Sequence, residues 1–141
     1  MHLKLTNGVP EKYTLGQLRR DNPQTSFPKV IPDEILAGYD IFPYTRSVVP
    51  EYDSLTHNVI EGNFEKIRDT WVLPYVVTQL PQIRAEENVR AKRNRALSNT
   101  DWQFRSDMTP SQELIDYCKS LRDIPLQEGF PFSVVWPPIV V

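Results

Sequence analysis

The chain has 141 residues, of which 24% are charged, and its net charge at neutral pH is -2. A charge this close to zero excludes a general electrostatic attraction to nucleic acids or membranes, and the length predicts one compact domain with a modest core. Thirteen prolines against five glycines argue against a long-helix protein and favour extended connections.

The first third of the chain begins with a short strand and a short helix. Leu3 and Leu5 alternate with polar neighbours, which predicts a strand over residues 1–5, and Asn7-Gly8 is a typical hairpin turn. Thr14 and Gln17 form a capping-box pattern, which predicts a helix of about two turns that stops near Asn22-Pro23.

The next segment predicts one more short helix followed by strands. Pro32–Ala37 is the expected helix, with Gly38 at its C-terminal end. Residues 40–44 and 46–49 are predicted strands, each broken by a proline. Residues 56–61 and 70–80 form a predicted hairpin around the Gly62-Asn63 turn. Pro74 indicates that residues 70–80 form an edge strand or contain a bulge.

A helical hairpin is predicted after Pro81. The first helix is expected from Gln82 to Asn99, since one broad arc of its wheel carries the apolar side chains of Ala85, Val89, Ala96 and Leu97. The second is expected to begin with Thr109 as N-cap and Pro110 at the first helical position. Its apolar face would contain Leu114, Ile115, Cys118 and Leu121, and Pro125 would stop it.

These elements predict an α+β fold: a small antiparallel sheet with short helices, followed by a C-terminal helical hairpin and an extended Pro-rich tail. The expected subregions are residues 1–80 and 81–141. We interpret the Leu80/Pro81 boundary as a joint within one compact domain.

Arg93 falls inside the apolar arc of the first long helix, four residues from both Val89 and Leu97. An unpaired charge is costly to bury. We therefore expect Arg93 to be partly buried and paired with a carboxylate, either Asp101 or Asp123.

The sequence contains no pattern typical of an active site. The sole cysteine, Cys118, lies on the apolar helix face and is expected to be a core thiol; it also excludes an internal disulfide, which suits a reducing compartment. His2 and His57 lack metal-ligand spacing with Cys118, and no glycine-rich phosphate loop is present. We expect no enzyme activity, no cofactor and no small-molecule substrate.

The basic cluster of Arg90, Lys92, Arg93 and Arg95 is a possible nucleic-acid patch. At 100° per residue, however, these side chains point around the whole helix, and Glu86 precedes Arg90 at pairing distance. A solvated helix face with one buried pair is the favoured interpretation. The N-terminus lacks the apolar region of a signal peptide, and no apolar run approaches the about 18 residues of a membrane span.

The C-terminal third is rich in aromatic and apolar side chains. We expect Phe130 and Trp136 to fold back over the helical hairpin, while the end of the chain contacts a partner as a strand or an apolar plug. The candidate partner-binding residues are Trp102, Phe130, Phe132, Trp136, Ile139, Val140 and Val141.

The same third resembles the phage tail assembly chaperone family, also called tail fibre assembly proteins. The residues that carry the resemblance are Arg93-Asn94 with Leu97, Thr100-Asp101-Trp102, Leu121-Arg122-Asp123-Ile124-Pro125, Gly129-Phe130-Pro131 and Val135-Trp136-Pro137. Residues 18–23 with Ser26-Phe27-Pro28 resemble the leading segment of some members. Gln103 departs from the pattern, since members commonly carry a threonine after the tryptophan.

The resemblance implies a small phage protein that binds a tail fibre or receptor-binding protein and assists its folding, trimerisation or attachment in the host cytoplasm. The fibre partner would be a trimer. One alternative is a structural adaptor or cap that is retained on the virion tail. Another is a nucleic-acid-binding module, whose binding would weaken steeply with salt.

Overall fold

A computed structural model describes residues 1–140 and divides the chain into two compact units. The first consists of Met1–Pro50 and Val59–Val76, and the second of Glu51–Asn58 and Val77–Val141. The strands are β1 (His2–Thr6), β2 (Val9–Tyr13), β3 (Ile41–Arg46), β4 (His57–Glu61), β5 (Glu65–Ile67), β6 (Thr70–Leu73) and β7 (Tyr75–Gln79). The helices are α1 (Leu15–Asp21), α2 (Asp33–Ala37), α3 (Gln82–Ser98) and α4 (Gln112–Arg122). The α+β class is confirmed.

The main sheet has the strand order β2-β1-β3-β6-β5. β1 pairs antiparallel with β2 and β3, and β5 pairs antiparallel with β6. One pair differs from the prediction of an antiparallel sheet, because β3 and β6 are parallel, with Tyr44 opposite Trp71. β4 and β7 form a separate two-stranded sheet.

The β1–β2 hairpin turns at Asn7-Gly8, as predicted. Both residues have positive φ, 54° and 79°, which the tight hairpin turn requires and which asparagine and glycine tolerate best. β2 itself was not predicted, because Pro10 and the charged Glu11 and Lys12 hide its alternation. Pro10 is tolerated there because β2 is an edge strand.

Pro74 divides the segment that the sequence indicated as one strand over residues 70–80. β6 ends before Pro74 and lies inside the main sheet, whereas β7 follows it and pairs with β4. The expectation of one edge strand was therefore wrong. Since proline has no N–H to donate, it is placed where the chain leaves one sheet for the other.

β3 is also a single strand that runs through Pro43, and residues 47–50 have no regular structure. The prediction of two strands, over residues 40–44 and 46–49, was therefore wrong: one strand covers Ile41–Arg46.

Two clusters of buried side chains form the core of the first unit. One joins Leu18 of α1, Ile31, Leu36 of α2 and Ile41 of β3, and the other joins Leu3, Tyr44 and Leu73 from three strands of the main sheet. The capping box at the start of α1 is confirmed: Thr14 Oγ1 accepts from Gln17 N at 3.1 Å, and Thr14 N donates to Gln17 Oε1 at 2.7 Å.

The second unit contains the predicted helical hairpin of α3 and α4. Its core consists of Val89 from α3 and, on the other side, Leu114, Tyr117, Cys118, Leu121 and Ile124. Ile115 is exposed, so Tyr117 takes the place predicted for it on the apolar face of α4. The predicted N-cap was also wrong: Ser111 caps α4, since its Oγ accepts from Leu114 N at 3.2 Å. Among residues 1–140, no helix is long and apolar enough to cross a membrane.

Candidate partner-binding surface

The chain reverses direction after α4 in a tight turn from Gly129 to Ser133. Ser133 N donates to Gly129 O at 2.7 Å. A Cβ atom at position 129 would lie 2.3 Å from Ser133 O, which is far inside van der Waals contact. Any larger residue would therefore force this turn to shift, and the turn directs the following residues back onto the helical hairpin.

Residues 134–140, which we name the strap, lie along the helical hairpin. Val134, Trp136 and Val140 pack against its core, while Val135 and Ile139 are 78% and 80% exposed. Gln127 fastens the strap at one point: its Nε2 donates to Val135 O at 2.9 Å, and its Oε1 accepts from Val135 N at 2.8 Å. The expected folding back of Trp136 is confirmed.

Two cations of α3 lie over aromatic rings of the C-terminal segment. Lys92 Nζ lies 4.2 Å from the centre of the Trp136 ring, and the Arg90 guanidinium lies 5.2 Å from that of Phe130. Phe130 also packs against the hairpin core, as expected. Arg90 in addition donates to Glu86 Oε2 at 3.2 Å. Two of the four cations in the basic cluster therefore contact aromatic rings of this unit, which argues against a nucleic-acid patch.

The structure gives Arg93 a partner other than the expected carboxylates. Its Nε and Nη2 donate to Asn94 Oδ1 at 3.1 and 3.0 Å, and the side chain is half-buried. Asp123 accepts from Lys119 Nζ at 3.1 Å instead, and Asp101 lies exposed in the turn after α3. A half-exposed guanidinium is partly solvated and is satisfied by an amide, so its position on the helix does not demand an ion pair.

Three apolar side chains are exposed on the connection between α3 and α4. Trp102 and Phe104 belong to a 3-10 turn over Asp101–Phe104 and are 51% and 42% exposed, and Met108 is 41% exposed. We name these three residues the loop patch. Phe104 and Met108 were absent from the predicted site, because the residues around them carry no helical or strand periodicity that would place them.

Thr100 anchors the loop patch to the core. Its Oγ1 donates to Leu97 O at 2.7 Å and lies 3.3 Å from Cys118 Sγ, while Thr100 O accepts from Gln103 N at 3.0 Å. The cysteine is buried, as expected of a core thiol. The 3-10 turn therefore starts from a fixed point, with its aromatic side chains directed away from the core.

The predicted partner-binding residues separate into three groups. Phe130, Trp136 and Val140 contact the hairpin core. Phe132 is half-buried, and its ring lies edge-on to His57 with 6.1 Å between the ring centres. Trp102 and Ile139 are exposed, whereas Val141 lies outside the described residues.

The surroundings of His2 and His57 do not indicate a metal site. His57 Nδ1 shares a 2.7 Å hydrogen bond with Thr56 Oγ1, and desolvation by burial lowers the pKa of His2. Among residues 1–140, no group of three or more histidine, cysteine, aspartate or glutamate side chains is arranged to hold a metal ion.

Comparison with protein families gives one match. Residues 86–138 match the family described as phage tail assembly chaperone protein; they run from within α3 through the loop patch and α4 into the strap. No curated protein and no solved structure matches the chain. The family supports a chaperone role in phage tail assembly, with a phage tail protein as partner in the host cell. The resemblance to phage tail assembly chaperones is thereby confirmed over residues 86–138.

Proposed function

We propose that the protein is a tail fibre assembly chaperone that binds a phage fibre or receptor-binding protein and assists its folding, trimerisation or attachment. The loop patch, which lies within the family-matched residues, is the observation that carries this proposal. It is the surface that we assign to the partner.

The physical need for such a protein follows from how a trimeric fibre assembles. Before its three chains associate, each exposes apolar surface and unpaired strand edges, which promote aggregation. A small partner that covers part of this surface keeps the chains soluble until they meet. No bond is made or broken in this role, so it requires no catalytic residue.

The loop patch has the properties of a binding anchor. Tryptophan is over-represented among the residues that dominate binding energy at interfaces, and aromatic side chains bring a large contact area with few rotatable bonds. Trp102 and Phe104 stand on a turn that Thr100 fixes to the core. Their ordering cost on binding is therefore small.

Co-expression with the fibre or receptor-binding protein of the same phage tests this function. The native chain should raise the soluble trimer yield and co-elute with the fibre protein in size exclusion. The double variant Trp102→Ser/Phe104→Ser should weaken the complex by about 30-fold or more, the loss expected when an interface anchor is removed.

Leu126→Ser provides the matched control, because Leu126 is 81% exposed but lies outside the loop patch. The control variant should bind like the native chain. Equal binding by the double variant and the native chain would exclude the loop patch as the contact, and absence of any complex with the native chain would exclude the function.

A further inference from the structure

We propose that the strap is an internal occupant of a groove between α3 and α4, and that an extended apolar segment of the phage tail protein, carrying an aromatic residue, displaces it. The assignment of that segment to a phage tail protein rests on the proposed function. The groove, and the exchange of its occupant, are inferred from the contacts of the strap itself.

The groove has an apolar floor and one cation at its rim. Under Trp136 and Pro137 it is lined by Lys92 and Ala96 of α3 and by Tyr117 and Leu121 of α4. The small side chain of Ala96 leaves room between the helices, and Leu121 is fully buried below it. Such a lining accepts an aromatic ring, with Lys92 over its face.

The strap shows which chemistry the groove accepts. Trp136 fills the position beside Lys92, and Val134 and Val140 supply the flanking apolar contacts. Val135 and Ile139 are mostly exposed, and Ile139 lies at the edge of the groove. An extended segment with one central aromatic residue and small aliphatic residues on the same side therefore satisfies the same contacts.

The far end of the strap is weakly fastened. Gln127 holds Val135, but within the part of the chain that the structure describes no hydrogen bond joins residues 136–140 to another residue. Pro137 and Pro138 have no N–H to donate, and both line hollows on either side of the strap. The strap thus bridges these hollows without filling them, and apolar packing together with the Lys92–Trp136 contact, without hydrogen bonds, holds its far end.

A labelled peptide that contains residues 129–141 of this chain tests the exchange without any phage partner. The peptide should bind the full-length variant Gln127→Ala about tenfold or more tightly than the native chain, because the two hydrogen bonds that hold the internal strap are lost. Adding Lys92→Ala to that variant should weaken peptide binding again, since the cation beside the aromatic ring is removed.

Gln82→Ala is the matched control. Gln82 is also a glutamine with a side-chain hydrogen bond, to Glu86 at 3.1 Å, but it lies at the start of α3. This control should bind the peptide as the native chain does. The proposal would be overturned if Gln127→Ala and the native chain bound the peptide equally tightly. It would also be overturned if adding Lys92→Ala to Gln127→Ala left peptide binding unchanged.

A second experiment identifies the occupant. If the tail protein is the natural ligand, the Gln127→Ala variant binds it more tightly than the native chain does, and the peptide competes. Dimerisation of Gln127→Ala in size exclusion would instead assign the groove to the strap of a second copy and overturn the tail-protein assignment. Peptide exchange without any complex with the tail protein would contradict the proposed function while leaving the groove intact.

Discussion

Thr100 shows how one buried hydroxyl positions a surface. It is 6% exposed, and its Oγ1 is bonded to Leu97 O and lies close to Cys118 Sγ. Leu97 O also accepts from Thr100 N at 3.0 Å, so removal of the hydroxyl would take away the second of its two hydrogen bonds and the contact with Cys118 Sγ. The orientation of Trp102 and Phe104 therefore depends on a buried residue that lies outside the loop patch.

Thr100→Val should destabilise the protein by about 0.5–1.5 kcal/mol, since valine keeps the shape and the backbone bond to Leu97 O but loses the bond from the hydroxyl. Urea unfolding measures this change, and amide hydrogen exchange should accelerate at residues 100–104. Unchanged stability together with unchanged exchange would show that the hydroxyl does not hold the turn.

Glu61 gives the first unit a pH-dependent contribution. The carboxylate accepts from Lys12 Nζ and lies 2.9 Å from Arg46 Nη2. The hydrogen bond from Lys12 and the two nearby positive charges lower the pKa of Glu61. Because the folded-state pKa is lowered, the carboxylate stabilises the fold above its unfolded-state pKa of about 4.3, and this contribution is lost as the pH falls through the folded-state pKa.

Glu61→Gln should therefore lower the urea midpoint slightly at neutral pH, and the gap to the native chain should close in acid. NMR titration of the Glu61 carboxyl measures the pKa directly. A folded-state pKa at or above the unfolded value would contradict this account.

At the scale of elements, the turn at Gly129–Ser133 determines where the strap lies. Gly129→Ala places a Cβ atom against Ser133 O, and the forced shift should cost about 1–3 kcal/mol. Gly16→Ala in α1 is the control. The nearest atom to its added Cβ would be Arg20 Nη1 at 3.5 Å, an ordinary contact, and alanine favours a helix by about 0.5–1 kcal/mol.

Thermal unfolding of both variants checks this prediction. We expect opposite signs, with a lower midpoint for Gly129→Ala and an equal or higher one for Gly16→Ala. A Gly129→Ala variant as stable as the native chain would show that the turn tolerates a side chain and that it does not fix the strap.

Elements whose ends depend on local chemistry were predictable. The capping box of α1 and the Asn7-Gly8 turn are short-range patterns, and both occur as predicted. α3 was predicted to end at Asn99 and ends at Ser98. The pairing of β6 with β3 was not predictable, since sequence alternation indicates a strand but not its neighbour.

At the scale of the whole molecule, the aromatic content of the C-terminal third was predictable but the exposure of each ring was not. Trp136 and Trp102 are equally apolar in sequence, yet one packs against the hairpin core and the other faces solvent. The difference arises from the chain reversal after Gly129 and from the position of Lys92 on α3. Both are properties of the folded chain, so sequence patterns could propose the candidate residues but not separate them.

Amide hydrogen exchange of the native chain, free and bound to the fibre or receptor-binding protein of its phage, tests the central claim most directly. Binding through the loop patch predicts slower exchange at residues 100–108 in the complex and little change in α1 and α2. Slower exchange confined to the first unit, with residues 100–108 unchanged, would contradict the assignment of the loop patch as the partner surface.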